Sequence, residues 1–338
     1  MRKITIKSFA KFNPVLEVLG RDSAAGMHYV STVLCNLDHF DVVTVEKTGE
    51  AASIRSSNGG PPAPDAARLE IVLDGDSDAH LLEVGDRGLS PLQTRSAIPT
   101  GAQNTAHKAW RAVCAAFGHT FPARVRLLKR IPAAAGLGGG SGNAAAVIVA
   151  LVRLFDLEAV PESMAMMAAE IGADVPFFLS GGLMMAEHFG ETLYDLGESP
   201  PFFAAVLKPA SGSSTEEAYK LLDSLLSLEE GVCRSARTTR GFANAIAAGG
   251  DFMSFVRNDF DLAMLKHNPD AGLLFGWLQG ERADRVVVAG SGSAVIGLFR
   301  NEPPSDLPVR AMSQLGGMLE CAFIARPAPA GLEVVDWE

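Results

Sequence analysis

The stretch IPAAAGLGGGSGNAAA, residues 131–146, holds the strongest indication of fold and function in this chain. Four glycines occupy the five positions from Gly136 to Gly140, and side chains this small contribute little to a core. A strand-like segment, ARVRLLKRI at 123–131, comes before the glycines, and an apolar helical pattern, NAAAVIVALVRLF at 143–155, follows them. A strand, a glycine loop and a helix in this order are typical of a phosphate-binding site.

The loop predicts a nucleoside triphosphate as its ligand. Its glycines leave room for backbone N–H groups to approach an anion, and the helix beginning near Ser141 adds unpaired N–H groups and a positive dipole end. A P-loop does not fit, because no lysine follows the glycines as GxxxxGK[ST] requires. A dinucleotide fingerprint does not fit, because it would place GxGxxG near a first strand with an acidic residue on the next strand, and GLGGGS has no such partner. A flexible linker conflicts with the apolar helix directly behind it.

Composition limits the class of protein. The chain has 338 residues, 48% of them hydrophobic, which is enough for two domains or one large one. The formal net charge is −10 and there is no basic run, so we expect no nucleic-acid or membrane partner, while small anions remain possible ligands. The four cysteines are scattered, and we expect no signal peptide or membrane span. These features favour a soluble, cytoplasmic protein.

Strand and helix patterns follow one another without regular βαβ alternation, which predicts an α+β fold. Strands are predicted in ITIKS (4–8), PVLEVLG (14–20), DVVTVEK (41–47), RLEIVL (68–73), FFAAVLK (202–208), both sides of the glycine turn in DRVVVAGSGSAVIGLF (284–299) and, as the last strand, MLECAFIAR (318–326). Helices are predicted in AQNTAHKAWRAVCAAFG (102–118), PESMAMMAAEIG (161–172), TEEAYKLLDSLLSL (215–228), FANAIAAG (242–249) and DFDLAMLK (259–266). We expect two domains, 1–198 and 199–338, with an insertion at about 50–100.

Four further motifs accompany the loop in a fixed order. PAAAGLGGGSGNAA resembles the PxxxGLGGGSSNAA loop of the GHMP kinases. AKFNPVLEVLG at 10–20, GMHYVSTVLCNLDHFD at 26–41, IGADVPFFLSGG at 171–182 and AGSGSAVIGLF at 289–299 resemble other motifs of that family. The likeness spans most of the chain, apart from about 50–100 and the tail. Within the family it is strongest to the kinases of 4-diphosphocytidyl-2-C-methyl-D-erythritol.

The resemblance implies a two-domain fold, with an N-terminal half like ribosomal protein S5 and a ferredoxin-like C-terminal half. It implies an ATP- and Mg²⁺-dependent kinase that phosphorylates the 2-hydroxyl of the diphosphocytidyl polyol in isoprenoid synthesis. Two alternatives stay open. One is a GHMP kinase acting on mevalonate, phosphomevalonate, homoserine or a sugar. The other is a non-catalytic nucleotide-binding relative, which should have lost a catalytic residue. A monomer or a homodimer is expected.

Phosphoryl transfer to an alcohol needs a proton acceptor, positive charge beside the reacting oxygens and phosphates held in line. Asp174, in the apolar GADVPFF segment, is the candidate base, although it could instead cap a helix. The resemblance gives Lys11 the role of polarising the hydroxyl. Asn13 lies two residues later, on the same face of a continuing strand, and is expected to contact the substrate or to orient Asp174.

The resemblance assigns the remaining site residues. The ATP loop comprises Pro132, Ala133, Ala134, Ala135, Gly136, Leu137, Gly138, Gly139, Gly140, Ser141 and Gly142. Asn104 matches a residue near the nucleotide base, and Ser141 is a possible ligand of the Mg²⁺ carried by the ATP phosphates. His28 matches the histidine that hydrogen-bonds cytosine. The chain departs from the family at Met27, where a stacking tyrosine is usual, and at Gly142, which replaces a second serine.

Overall fold

The computed structural model describes residues 2–22, 24–53, 69–73, 98–212, 215–226 and 234–338. Its N-terminal part contains β1 (Lys3–Asp22), β2 (Met27–Lys47), β3 (Ala52–Ser53), β4 (Leu69–Leu73), α1 (Thr105–Phe117), β5 (His119–Thr120), β6 (Ala123–Leu128), α2 (Gly139–Leu154), α3 (Pro161–Ala169), α4 (Val175–Ser180), β7 (Leu183–Glu187) and β8 (Thr192–Asp195). Its C-terminal part contains β9 (Phe203–Pro209), α5 (Thr215–Leu226), α6 (Arg237–Ala247), β10 (Arg257–Asn258), α7 (Phe260–His267), α8 (Pro269–Gly280), β11 (Arg285–Val288), β12 (Val295–Phe299), α9 (Leu307–Leu315), β13 (Leu319–Ala325) and β14 (Leu332–Trp337). The predicted α+β class is confirmed.

The first sheet is built on the long antiparallel pair β1 and β2. Its strand order is β10–β1–β2–β6–β4, with β14 also paired to β1 and with β7 and β8 extending from β2. Helix α2 packs on this sheet with three fully buried alanines, Ala144–Ala146. Their small side chains let the helix approach the strands closely, which fixes the helix N-terminus, and with it the glycine loop, at one edge of the core.

Strand β1 is one continuous strand where the sequence predicted two. In its ladder with β2, Phe12 faces Cys35 and Val15 faces Val33, so that Asn13 and Pro14 together oppose a single residue. Proline has no N–H group to donate, which explains why the bulge lies at this position. Just before the bulge, the N–H of Lys11 donates to the Leu137 carbonyl of the glycine loop at 2.9 Å, which joins β1 to the loop.

The second sheet comes from the C-terminal part of the chain. Its order is β11–β12–β9–β13, and all of its pairings are antiparallel. With helices between β9 and β11 and between β12 and β13, this is the β-α-β-β-α-β arrangement of a ferredoxin-like fold. The predicted ferredoxin-like half is therefore confirmed.

Several elements were not predicted from the sequence. Helices α8 and α9 lie in segments to which no element was assigned, and MLECAFIAR is not the last strand, because β14 follows it. Strand β14 pairs with β1 from Ile4 opposite Trp337 to Ser8 opposite Leu332. Both β10 and β14 thus bring residues from beyond position 199 into the first sheet, and the domain boundary at 198 stays a prediction.

The region of about 50–100 is described only in part. Strand β4 confirms RLEIVL and pairs in parallel with β6. Most of the rest of the predicted insertion, residues 54–68 and 74–97, lies outside the described residues, as does Cys233. Among the residues that are described, none of the helices has the length and apolar character needed to cross a membrane.

Candidate active site

The glycine loop is held in place by the glycine turn of the C-terminal half. Gly136 has φ +81°, and a Cβ atom on it would lie 1.8 Å from the carbonyl oxygen of Ala289. A Cβ on Gly292 would lie 2.3 Å from the Gly136 nitrogen. Ala294 donates its N–H to the Ala135 carbonyl at 3.2 Å. Two backbones therefore touch directly, and only glycine fits at this contact.

Helix α2 begins with its amides open. Its N-cap is Gly138, in the left-handed region at φ +72°, and no side chain caps this end. The first N–H to bond along the helix is that of Gly142, to the Gly138 carbonyl at 2.9 Å. The N–H groups of residues 139–141 come before it and, with the helix dipole, give this end the character of an anion-binding site; anion binding itself stays a prediction.

Gly138 and Gly139 were expected to leave room for an anion, but their immediate neighbours are other parts of the protein. A Cβ on Gly138 would lie 2.7 Å from Lys11 Cγ and 2.7 Å from the Phe178 ring. On Gly139 it would lie 3.0 Å from Ile131. The side chain is therefore excluded at these positions by the protein itself, which packs the loop against Lys11, rather than only by the ligand.

The departure at Gly142 also has a steric cause. A Cβ here would lie 2.3 Å from Ser8 Oγ and 3.1 Å from the Phe178 ring. The Ser8 hydroxyl is buried and has no hydrogen-bond partner among the described residues. Ser8 thus occupies the space that a serine side chain at position 142 would need.

The two predicted catalytic residues are in direct contact. Lys11 Nζ lies 3.0 Å from Asp174 Oδ2 and donates to Asn13 Oδ1 at 3.0 Å. Asn13 in turn donates to Thr32 Oγ1 at 2.8 Å. The Lys11 side chain is only 5% exposed, and a buried ammonium group needs such partners. The expectation that Lys11 and Asn13 share one strand face is confirmed.

Asp174 does not cap the helix that follows it. It stands at the N-cap of α4, but its side chain makes no capping hydrogen bond. The four residues behind it, Val175–Phe178, are buried, whereas the carboxylate of Asp174 is 42% exposed and turned to Lys11. The alternative of a purely structural cap therefore lacks its defining contact, and the carboxylate is open to a ligand.

Lys129 and Asp41 were not singled out as site residues in the sequence, although Lys129 lies in the segment 123–131 and Asp41 ends the motif 26–41. Asp41 is fully buried, pairs with Lys129 and accepts hydrogen bonds from the N–H groups of Arg130 and Ile131 at 2.7 and 2.9 Å. Lys129 Nζ lies 3.2 Å from the position of a Cβ on Gly139. This places a positive charge beside the first turn of α2, where it favours an anion. No local pattern joins positions so far apart in sequence.

The predicted base-binding residues lie where the two halves meet. His28, at the start of β2, contacts Asp223 of α5, with 2.6 Å between Nε2 and Oδ1. Its ring stacks on Tyr219, also in α5, at a centroid distance of 4.5 Å. Met27 is 43% exposed. Neither Tyr219 nor Asp223 was singled out from the sequence, because an ordinary amphipathic helix pattern carries both.

Tyr219 also lies near Asp174, the predicted catalytic base. Burial, together with the negative charges of Asp174 and then Asp223, raises the pKa of Tyr219 to about 12. Its hydroxyl therefore stays protonated near neutral pH. Tyr219 thus lies close enough to both carboxylates to feel their charge, which brings the predicted base-binding residues near Asp174.

Asn104 has a clear structural role. Its Oδ1 accepts from the Ala106 N–H at 2.9 Å, which caps α1, and its Nδ2 donates to the Pro99 carbonyl at 2.6 Å. Next to it, Thr105 Oγ1 donates to the Gly140 carbonyl at 2.7 Å, so the start of α1 lies against the glycine loop. Contact of Asn104 with a nucleotide base stays a prediction.

Known proteins share both the motifs and the fold. Residues 104–182 match the family described as the GHMP kinases N terminal domain. The chain is 30% identical over 302 residues to the 4-diphosphocytidyl-2-C-methyl-D-erythritol kinase of Moorella thermoacetica, an alignment covering 88% of this chain and 90% of that one. The chain belongs to the GHMP kinases, in the family of the 4-diphosphocytidyl-2-C-methyl-D-erythritol kinases. The kinase of that name from Caldanaerobacter subterraneus is 29% identical over 336 residues, which cover 98% of this chain and 100% of the relative.

Solved GHMP kinase structures superimpose over nearly the whole chain. A 4-(cytidine 5'-diphospho)-2C-methyl-D-erythritol kinase does so with a TM-score of 0.68 at 25% identity, covering 96% of this chain and 99% of that one. Homoserine kinase from Cytophaga hutchinsonii does so with a TM-score of 0.67 at 15% identity, covering 99% and 98%. The second likeness concerns the fold alone. As a GHMP kinase, this protein is an ATP-dependent phosphotransferase.

Proposed function

We propose that this protein transfers the γ-phosphoryl group of ATP to the 2-hydroxyl of 4-diphosphocytidyl-2-C-methyl-D-erythritol. The observation that carries the proposal is the Lys11–Asp174 pair, whose carboxylate is half-exposed beside the open end of the glycine loop. The curated relatives that match nearly the whole chain bear the name of this kinase, which supports the choice of acceptor.

The reaction assigned to this site forms a bond between the acceptor oxygen and the γ-phosphorus and breaks the bond from that phosphorus to the β,γ-bridging oxygen. Asp174 accepts the proton of the acceptor hydroxyl. Lys11, held by Asn13 and Asp174, keeps its charge next to the reacting oxygens, where it stabilises the negative charge of the transition state. Its burial makes this interaction stronger than it would be in water.

The phosphates of ATP are assigned to the loop from Pro132 to Gly142. The open amides at the start of α2 bind the anion, and the ammonium group of Lys129 adds charge at the same end. The Mg²⁺ ion is assigned to the ATP phosphates, where it neutralises charge on the phosphoryl group. Ser141 fits as a protein ligand, because its hydroxyl is only partly buried and offers the hard oxygen that Mg²⁺ prefers.

The cytidine part of the acceptor is assigned to the pocket formed by Met27, His28 and Tyr219. Aromatic and thioether groups pack on the face of a planar base, and the histidine offers a polar atom to its edge. Fold likeness alone does not choose between acceptors, since the homoserine kinase superimposes as well as the cytidine kinase. The pocket and the relatives favour the cytidine compound.

The test is ADP release with 4-diphosphocytidyl-2-C-methyl-D-erythritol, mevalonate and homoserine in parallel, with ³¹P NMR of each product. We expect turnover with the first compound only, and a new phosphomonoester on its 2-hydroxyl. Turnover of mevalonate or homoserine instead would overturn the substrate while leaving a kinase. Absence of ADP with all three, in the presence of ATP and Mg²⁺, would favour the non-catalytic alternative.

A further inference from the structure

The contact between His28 and Asp223 joins the two halves of the protein at the base pocket. The residues are 195 positions apart, and their side chains are only 11% and 29% exposed. Another carboxylate on the same helix, Glu216, contacts Lys220 with both side chains more than 70% exposed. The His28 contact is therefore shielded from water in a way that an ordinary surface pair is not, and its hydrogen bond is correspondingly specific.

This contact determines which atom His28 offers to a ligand. An ionised carboxylate has only acceptor oxygens, so the proton between the two groups lies on Nε2 of His28. In the neutral ring the other nitrogen, Nδ1, then carries a lone pair and accepts hydrogen bonds. No partner for Nδ1 is found within the described part of the chain. The His28 ring also stacks on the Tyr219 ring, which restricts its rotation.

The geometry points to Asp223 as a positioning residue that makes the pocket select an amino-bearing pyrimidine, by holding His28 with its Nδ1 as an acceptor. Cytosine carries an amino group at position 4, which donates, whereas uracil carries a carbonyl there, which accepts. Nδ1 of His28 can accept a hydrogen bond from the amino group of cytosine. With uracil, Nδ1 and the carbonyl oxygen would be two acceptors facing each other. This inference rests on the proposed function, because it needs the pyrimidine in this pocket.

Asp223 acts here through His28 and need not touch the base. A purely structural role for it would hold α5 in place without any effect on the choice of base. The two roles therefore separate in a variant of similar size that offers the ring neither a donor nor an acceptor. Asp223→Leu is such a variant, since its side chain cannot accept from Nε2–H and so no longer fixes the tautomer of His28.

The experiment compares the affinities of CDP and UDP for the full-length protein by calorimetry. The wild type is expected to bind CDP at least tenfold more tightly than UDP, because a site built for one hydrogen-bonding edge rejects the opposite edge. Asp223→Leu is expected to reduce this preference by roughly tenfold, the effect of one hydrogen bond. Glu216→Leu is the matched control and should keep the wild-type ratio. ATP affinity should stay the same in both variants.

A second measurement follows the tautomer directly. In ¹⁵N-labelled protein at neutral pH, His28 should show a protonated Nε2 and a bare Nδ1, and Asp223→Ala should give a mixture of both tautomers. A CDP-to-UDP ratio that stays within about twofold of the wild-type ratio in Asp223→Leu, or an unchanged tautomer in Asp223→Ala, would overturn this inference while the proposed kinase activity stood. A wild type that turns over 4-diphosphocytidyl-2-C-methyl-D-erythritol yet binds CDP and UDP equally would overturn it too. If the wild type neither binds CDP nor turns over that substrate, both proposals fail together.

Discussion

The proposed site has a phosphate side, the glycine loop, and a base side around His28, and the two are built in opposite ways. On the phosphate side, the loop of 132–142 and the turn of 289–294 meet backbone to backbone, with almost no room for side chains. On the proposed base side, His28, Tyr219 and Asp223 meet through side chains carried by two halves of the chain. A site made from backbone tolerates few residue types, whereas a site made from side chains can change its ligand by substitution.

The chain departs from the family motifs once on each side, and the two departures have different steric surroundings. The glycine loop keeps its pattern, and its one change, Gly142, is matched by the Ser8 hydroxyl in the same space. At the base side Met27 replaces an expected aromatic residue without any steric conflict, since its side chain is 43% exposed. Variants on the two sides should therefore fail differently.

The largest effect is expected where the two sides join, at Asp174. Asp174→Asn keeps the size of the side chain but removes the proton acceptor, so kcat should fall by roughly 10²–10⁴. The side chain caps no helix, but the buried ammonium group of Lys11 loses its charged partner, so the melting temperature should fall modestly while the Kd of ATP stays close to that of the wild type. Asp195→Asn, in the exposed strand β8, is the control. Turnover within about threefold of the wild type would remove Asp174 from the mechanism.

On the phosphate side, Gly138→Ala should weaken ATP binding by roughly 10- to 100-fold, the equivalent of the usual cost of overpacking. The added methyl group collides with Lys11 and Phe178, so kcat should fall as well. Gly118→Ala is the matched control, with a similar φ of +64° and no atom within 4 Å of the new Cβ. Calorimetry with ATP separates the two variants. Equal losses in both would mean that backbone strain, not the contact with Lys11, makes glycine necessary.

On the base side, His28→Ala should weaken binding of the cytidine substrate by about 1–3 kcal/mol, since it removes one hydrogen bond and leaves Asp223 without its partner. The Kd of ATP should not change, because the glycine loop does not involve this residue. Calorimetric titration with each ligand measures both. A variant that loses ATP and cytidine affinity equally would show that the two sides are not independent.

The match between Ser8 and Gly142 can be tested through stability. Gly142→Ser alone should lower the free energy of unfolding by about 1–3 kcal/mol, because its Cβ overlaps with the Ser8 hydroxyl. Ser8→Ala alone should be nearly neutral, since that hydroxyl has no partner among the described residues. The double variant should recover part of the loss in urea unfolding. Strict additivity of the two changes would contradict the overlap.

The smallest effect is expected at Met27. Met27→Tyr should tighten binding of the cytidine substrate by up to about 1 kcal/mol, a typical value for an added aromatic contact. The exposed position accepts the larger ring without repacking. Isothermal titration of the substrate, with Met166→Tyr on the exposed face of α3 as control, measures the gain. An affinity unchanged in Met27→Tyr, as in the control, would mean that the base lies elsewhere.

Much of this site could be predicted from consecutive residues. The strand–glycine–helix order at 123–155 predicted where α2 begins, because glycine conformations and helix starts depend on neighbours along the chain. The GADVPFF and FAKFN segments singled out Asp174 and Lys11, which lie in contact, while their catalytic roles stay predictions. The continuity of β1 was missed because Pro14 indicates a break in the strand, whereas a bulge accommodates it.

Only the tertiary structure decided the contacts between distant residues. The 3.0 Å distance from Lys11 to Asp174, the Lys129–Asp41 pair and the His28–Asp223 hydrogen bond each join positions that no local pattern connects. The return of β14 to pair with β1 belongs to the same class. Such contacts depend on how whole sheets and helices pack, and the residue types involved are equally suited to an exposed surface. The sequence by itself therefore determined the strand, the glycine loop and the start of α2, to which we assign the phosphates, and the packing of the two halves determined what surrounds His28.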